Sequence, residues 1–247
     1  MWRDQINYKN HQLGNLPVDF AATALKAIVG AAPVIGSFLS EVVGLIIPNL
    51  CFDRLIQFAG KLDCRLGKLE KSFIKYQFNK NEKFIDLLEE GLKQAANSLS
   101  DDRREYLANL IAYSITKSDA EMIESKHIIK ILNELNDAEI IWLKSFDILN
   151  IENMNEFQTK HAEILEPIYA TMNSPSSTTY RESIQKSYLE HLVKLRLIKE
   201  VFKIDSKTKM PEYNHMTGEQ IVSHHEITTL GIILLKEISI SNGYDPQ

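Results

Sequence analysis

Residues 180–239 read YRESIQKSYLEHLVKLRLIKEVFKIDSKTKMPEYNHMTGEQIVSHHEITTLGIILLKEIS, and the succession of patterns within them decides the fold of the C-terminal half. A helical stretch over 180–196 is followed by KEVFKI, where Val201, Phe202 and Ile204 suit a short strand. DSKTKMPEYNHMTGEQ is then a polar loop, IVSHHEI a second strand, and TLGIILLKEIS a closing helix.

Helix, strand, polar tip, strand, helix is the layout of a winged-helix unit, in which the two strands form the wing. The unit is expected over about 136–240, and its wing is the only β structure expected in a mainly α-helical bundle protein.

Working upstream, four pairs match the spacing of a capping box, in which two side chains satisfy each other's exposed backbone N–H groups. They are Asn79 with Glu82, Ser118 with Glu121, Asn136 with Glu139 and Thr179 with Glu182. The helices they imply run over about 82–98, 102–117, 120–134, 137–149 and 180–196. A further helix over 152–169 is ended or kinked by Pro167, and MNSPSSTT at 172–179 is a turn-rich connector.

The N-terminal part differs in composition. Seven of ten glycines (Gly14, Gly30, Gly36, Gly44, Gly60, Gly67 and Gly91) fall in the first 91 residues, and none lies between 92 and 217. Residues 1–17 read as a polar arm, 18–99 as a small-residue-rich helical hairpin followed by a heptad helix, and 100–247 as the helical region that ends in the wing. Pro33 divides VDFAATALKAIVGAA from VIGSFLSEVVGLII. Each half is roughly 20 Å long as a helix, too short to cross a hydrocarbon core of about 30 Å alone.

Ala32, Gly36, Ser40 and Gly44 recur every fourth residue and so form one line of small side chains. Such a line lets two helix backbones approach closely, in a protein interior or in a bilayer. The segment therefore reads either as a buried hairpin or as a self-association or membrane segment that acts once released. Beyond Pro48, Leu55, Ala59, Leu62, Leu66, Leu69, Phe73 and Tyr76 step alternately by four and three, a heptad seam. Its alternatives are one long bundle helix and an intermolecular coiled coil.

Overall composition is ordinary: 247 residues, 44% hydrophobic, 25% charged and a net charge of −5. That balance argues against a surface coated throughout by nucleic acid or anionic lipid. Cys51 and Cys64 form no CxxC pair and read as reduced, half-buried thiols of a cytoplasmic protein, membrane-associated at most on activation.

The constellations of common enzymes are absent from the sequence: GxxxxGK[ST], GxGxxG after a strand, GxSxG, HExxH, and HxE with a downstream CxxC. No catalytic residue, metal site, cofactor or small-molecule substrate is expected. His224 and His225 are adjacent and face opposite sides of a strand, while His224 shares a face with Glu226, which makes a pH-sensitive surface rather than a metal site. The serious rival is DNA binding. Residues 176–209 hold eight basic against four acidic side chains, beside a region over 118–166 with four basic and eleven acidic. Arg181, Lys186, Lys194, Lys203, Lys207 and Lys209 are the candidate phosphate contacts of a transcriptional regulator.

The run REYLANLIAYSITKSDAEMIESKHIIKILNELNDAEIIWLKSF, then YLEHLVKLRLIKE, then EITTLGIILLKEI, resembles the abortive-infection alpha family of bacterial proteins, domain of unknown function 4393. The matching positions are Leu107–Ile111, Ile128–Leu135 with Asp137–Ile140, then Leu192, Leu195, Leu197 and Ile198, then Thr229, Leu230 and Gly231. Arg196 stands where the family pattern has glycine. The resemblance covers roughly residues 100–240 and implies a bacterial protein of phage resistance with no established catalytic residues. The expected function is thus non-enzymatic defence through a protein partner, either self or a phage or host component, with membrane disruption by residues 20–47 as a further step.

Overall fold

The structure, a computed structural model, describes Lys26, Val29, Gly30, Leu39 and residues 32–37, 52–148, 151–171, 173–215 and 218–238, the side chains of 52 and 151–153 excepted. Among these are ten helices and one two-stranded antiparallel sheet, so the chain is mainly helical. It divides into two compact units, residues 1–130 with 238–247, and residues 131–237.

Unit 1 contains α1 (Phe52–Leu66), α2 (Lys71–Lys80), α3 (Glu82–Asn97), α4 (Asp101–Ser114) and the first part of α5 (Asp119–Glu134). α1 packs against both α3 and α4, burying Leu55, Phe58, Leu62 and Leu66 against residues such as Phe84, Leu88, Leu107 and Ile111. Each such side chain contributes about 1.5–3 kcal/mol on leaving water. Gly91 lets α3 and α4 come close, since a Cβ there would lie 2.2 Å from Ile111 Cδ1. The expected boundary at 99/100 falls between α3 and α4, which pack together inside this unit.

The heptad seam is not one helix. α1 ends at Leu66, Leu69 N donates to Leu66 O at 2.9 Å in a tight turn, and Glu70 is extended ahead of α2. Gly67 weakens the helix at this point by about 1 kcal/mol relative to alanine. Leu55, Leu62 and Leu66 are fully buried within unit 1, whereas Leu69 and Phe73 are half-buried and Tyr76 is exposed. A continuous three-heptad face is therefore not available to a partner chain. Cys64 is a free thiol and exposed rather than half-buried, because it lies off the buried stripe of α1; Cys51 lies outside the described residues.

Two of the four capping boxes form. Ser118 N donates to Glu121 Oε2 at 2.8 Å and Glu121 N to Ser118 Oγ at 3.4 Å. Asn136 and Glu139 likewise satisfy each other. The other two starts lie elsewhere. α2 runs through Asn79, and Asn81 caps α3, its side chain accepting from Lys83 N and Phe84 N at 3.1 Å.

Unit 2 takes residues from Ile131 onward through α6 (Asp137–Ser145), α7 (Ile151–Lys160), α8 (Ala162–Leu165), α9 (Ser176–Lys194), β1 (Ile198–Phe202), β2 (Val222–Ile227) and α10 (Thr229–Ile238) as far as Glu237. α9 begins directly after Pro175, before Thr179; Pro175 is the cap residue, and its carbonyl accepts from Thr178 N at 2.9 Å and Thr179 N at 3.3 Å. The helix expected over 152–169 is two pieces, the second ending two residues before Pro167.

α9 and α8 lie on α6, and Ile140, Leu143, Leu165, Leu192, Leu197, Ile198 and Leu234 make the core. β1 and β2 pair with Ile198 opposite Ile227 and Lys199 opposite Glu226, with an irregularity at Val201/Phe202. Beyond it the chain folds back twice. Lys203 N donates to Ile221 O (2.8 Å), Ile221 N to Glu212 O (2.9 Å) and Glu212 N to Lys203 O (2.8 Å), a closed ring of three hydrogen bonds at the tip.

Candidate partner-binding surface

The surface is built where α9 hands the chain to β1. α9 ends in a Schellman arrangement: Leu197 N reaches Leu192 O at 3.0 Å and Arg196 N reaches Val193 O at 2.9 Å. This geometry needs a left-handed residue, and Arg196 has φ 60°. An L side chain is disfavoured there, which gives a physical reason for a glycine at this position.

Thr228 locks this corner to α10. Its N donates to Leu197 O at 3.0 Å, its hydroxyl to Arg196 O at 2.7 Å, and the same oxygen accepts from Gly231 N at 3.1 Å as the cap of α10. Gly231 is buried so tightly that a Cβ would lie 2.3 Å from Leu197 O. Leu192, Leu197, Ile198 and Gly231, singled out by sequence, thus meet in one core, with Leu195 half-buried at the cap of α9. Thr228 was not singled out, although a threonine just before an apolar helical run is the signal that finds it.

Two surfaces face solvent around this corner. A groove of about 390 Å³ is lined by Val193, Arg196, Ile198, Lys199, Glu200, Phe202 and Thr228. At the tip, Ile204, Met210 and Tyr213 are each at least half exposed, and Asp205 turns the chain by accepting from Lys207 N and Thr208 N. Those backbone donors hold the Asp205 carboxyl below the usual carboxylate range.

Two of the six candidate phosphate contacts are held by carboxylates of their own unit. Lys203 pairs with Glu212 at 2.7 Å, and Lys186 with Glu182 at 3.0 Å. Lys199 pairs with Glu226 at 2.8 Å. The hydrogen bond to Glu212 raises Lys203 above the ordinary lysine value. Arg181, Lys194, Lys207 and Lys209 are exposed, and Lys209 is left-handed at φ 59°. The two histidines separate as their alternation requires. His224 is exposed, 3.3 Å from Glu226, while His225 is half-buried against Phe146 and burial lowers its pKa. Among the described residues no group of His, Cys, Asp and Glu is arranged to hold a metal ion.

The small-residue segment belongs to unit 1. Ala32, Ile35 and Leu39 are fully buried, and Gly36 N donates to Ala32 O at 2.6 Å; Ser40 and Gly44 lie outside the described residues. Asp63 of α1, itself buried, accepts from Val34 N at 2.8 Å and Ile35 N at 2.9 Å, and so caps the turn after Pro33. Sequence reading missed this carboxylate, since nothing local distinguishes it from a solvated helix acid. No helix among the described residues is long and apolar enough to cross a membrane.

No family model matches the chain, and no curated protein or solved structure matches it.

Proposed function

We propose that this chain is a non-enzymatic bacterial defence protein of the abortive-infection type, whose unit 2 is a winged-helix-like module that binds a protein partner. The observation carrying this reading is the chemistry of the module's surface. Ile204, Met210 and Tyr213 stand exposed at the tip, while Lys186, Lys199 and Lys203 are neutralised by carboxylates of the same unit. Phosphate binding favours unpaired cations, whereas exposed aromatic and apolar side chains fit protein contact.

In this reading the segment over 20–47 acts after release, by self-association or on a membrane. The buried Ala32, Ile35 and Leu39, with Asp63 on the turn, support its being covered in the resting chain.

Plaque counts on bacteria expressing the chain test the reading. The wild type should protect, and the double variant Ile204→Asp with Tyr213→Asp should not, while keeping its melting curve. Equal protection by both would remove the partner surface from the mechanism. Salt-sensitive duplex binding that weakens in Lys207→Ala and Lys209→Ala would instead select the transcriptional regulator. Dye release from anionic vesicles, lost in Gly36→Leu, tests the membrane step, and vesicles that stay sealed under all conditions would dismiss it.

A further inference from the structure

The cations around α1 and α2 fall into two groups. Lys61 of α1 is held by Asp101 at 3.1 Å and Glu105 at 2.8 Å, Arg65 by Glu105 and Asn109, and Lys83 of α3 by Asp119 at 2.9 Å. Lys68, Lys71, Lys75 and Lys80, by contrast, are all exposed and make no ion pair among the described residues. Glu70 is the one carboxylate between residues 67 and 81. At about 100° per residue, Ile74, Gln77 and Phe78 form the buried side of α2, and Lys71, Ser72, Lys75, Tyr76, Asn79 and Lys80 form the exposed side. That side holds three lysines, a tyrosine that is 59% exposed and no carboxylate. Lys71 and Lys75 stand one turn apart, a like-charge spacing that weakens a helix, so helix stability does not account for them.

Unpaired cations suit phosphates, and three features narrow the source of the phosphate. Tyr76 lies among the lysines, and an exposed ring is a platform for an unstacked base. Beside it is a recess of about 260 Å³ lined by Tyr76, Lys80, Asn81, Glu82, Lys83 and Asp119. Its two carboxylates oppose a phosphate there, whereas the polar edge of a base finds both donors and acceptors. The apolar residues of α2, Ile74 and Phe78, are buried in the core, so on the exposed side only Tyr76 is left to enter the acyl boundary of a bilayer. A duplex keeps its bases stacked and offers Tyr76 no free ring.

We infer that the exposed side of α2 binds single-stranded nucleic acid, with phosphates met by Lys68, Lys71, Lys75 and Lys80 and one base stacked on Tyr76. Lys71 and Lys80 are roughly 14 Å apart along the helix, the span of a few nucleotides. Such binding tolerates many sequences and weakens steeply with salt. It goes beyond the partner-binding reading of unit 2, and neither depends on the other.

The test uses the full-length chain and a fluorescein-labelled oligo(dT) of about 20 nucleotides, with anisotropy read over a series of KCl concentrations. Three or four phosphate contacts should give a slope of about −2 to −3 for log K against log salt. Lys71→Gln with Lys75→Gln should make that slope shallower by about 1.4. Tyr76→Ala should bind about tenfold more weakly at an unchanged slope, and Tyr76→Phe should bind as the wild type does. These positions are exposed, so melting curves should stay in place. Lys207→Ala with Lys209→Ala should bind like the wild type, and a slope reduced by that pair instead would move the contact to unit 2 and overturn the proposal. A flat titration at low salt, equal binding by Tyr76→Ala and the wild type, or tighter binding of a duplex of the same length also overturns it. So does capture on phosphatidylglycerol vesicles that is lost in the Lys71/Lys75 variant while the oligonucleotide stays unbound, which would assign this side of α2 to a membrane.

Discussion

The hydroxyl of Thr228 donates to the carbonyl of Arg196 at 2.7 Å across 32 residues of sequence, and accepts from Gly231 N at 3.1 Å. One oxygen thus ties the end of α9 to the start of α10. Thr228→Val keeps the shape and removes both bonds, and should lower stability by about 1–2 kcal/mol, whereas Thr228→Ser should retain most of it. Paired thermal melts with circular dichroism check this; equal melting of the valine and serine variants would show that the hydroxyl is idle.

Arg196→Gly should raise stability. A left-handed non-glycine residue costs roughly 1–2 kcal/mol, offset by about 0.5–1 kcal/mol of extra chain entropy in glycine, so a gain of about 0.5–1 kcal/mol is expected. Chemical denaturation of the two proteins provides the comparison, and a destabilised glycine variant would mean that the Arg196 side chain itself supports the corner.

Glycine-to-alanine changes should differ sharply between the two units. At Gly231 the new Cβ meets the Leu197 carbonyl oxygen at 2.3 Å, a backbone atom held by Thr228. At Gly91 it meets the end of the Ile111 side chain at 2.2 Å, which has other rotamers. Gly231→Ala should therefore cost more than about 3 kcal/mol and Gly91→Ala about 1–3 kcal/mol, read from denaturation midpoints.

Asp63→Ala leaves Val34 N and Ile35 N without their acceptor and should cost about 2–3 kcal/mol; Asp63→Asn keeps an acceptor oxygen and should cost less. Limited proteolysis is the sensitive readout, with cleavage near Pro33 accelerated in the alanine variant. An unchanged digestion pattern would remove Asp63 from control of this segment.

Burial lowers the pKa of His225 below its usual value of about 6.5, with Glu200 opposing and His224 adding to the shift. The unfolded chain then binds more protons near pH 6, so stability falls as pH drops through 6.5 and levels off below the folded value. At lower pH a second loss follows. Glu105 is held below the usual range by its hydrogen bond from Lys61 and by Arg65, so its contribution is present above 4.5 and disappears as pH falls through the folded value. Melting at pH 7.5 and 5.5 should differ more for the wild type than for His225→Phe, and a difference of the same size in both would assign the first loss to other groups.

Sequence reading located the two strands, the closing helix and the start of α6 because their signals are local. Val201 and Phe202 fall within β1, the closing helix opens with TLG, and the Asn136 box forms as spaced. It failed where the outcome depends on atoms distant in sequence. The seam from Leu55 to Tyr76 has an unbroken heptad rhythm, yet the buried sites supplied by α3 and α4 are filled by Leu66, and the chain turns at Gly67. The cations at Lys186 and Lys203 counted equally with Lys207 in the linear charge sum. Their neutralisation by Glu182 and Glu212 becomes visible only in three dimensions.

The ring of bonds linking Lys203, Ile221 and Glu212 has a consequence for how the tip meets another molecule. A hairpin ladder frays from its last rung, whereas each member of this ring is held by two bonds, so breaking one leaves all three joined. Ile204 and Tyr213 flank members of the ring, and side chains on a backbone tied in this way lose less ordering entropy on contact than those of a free loop.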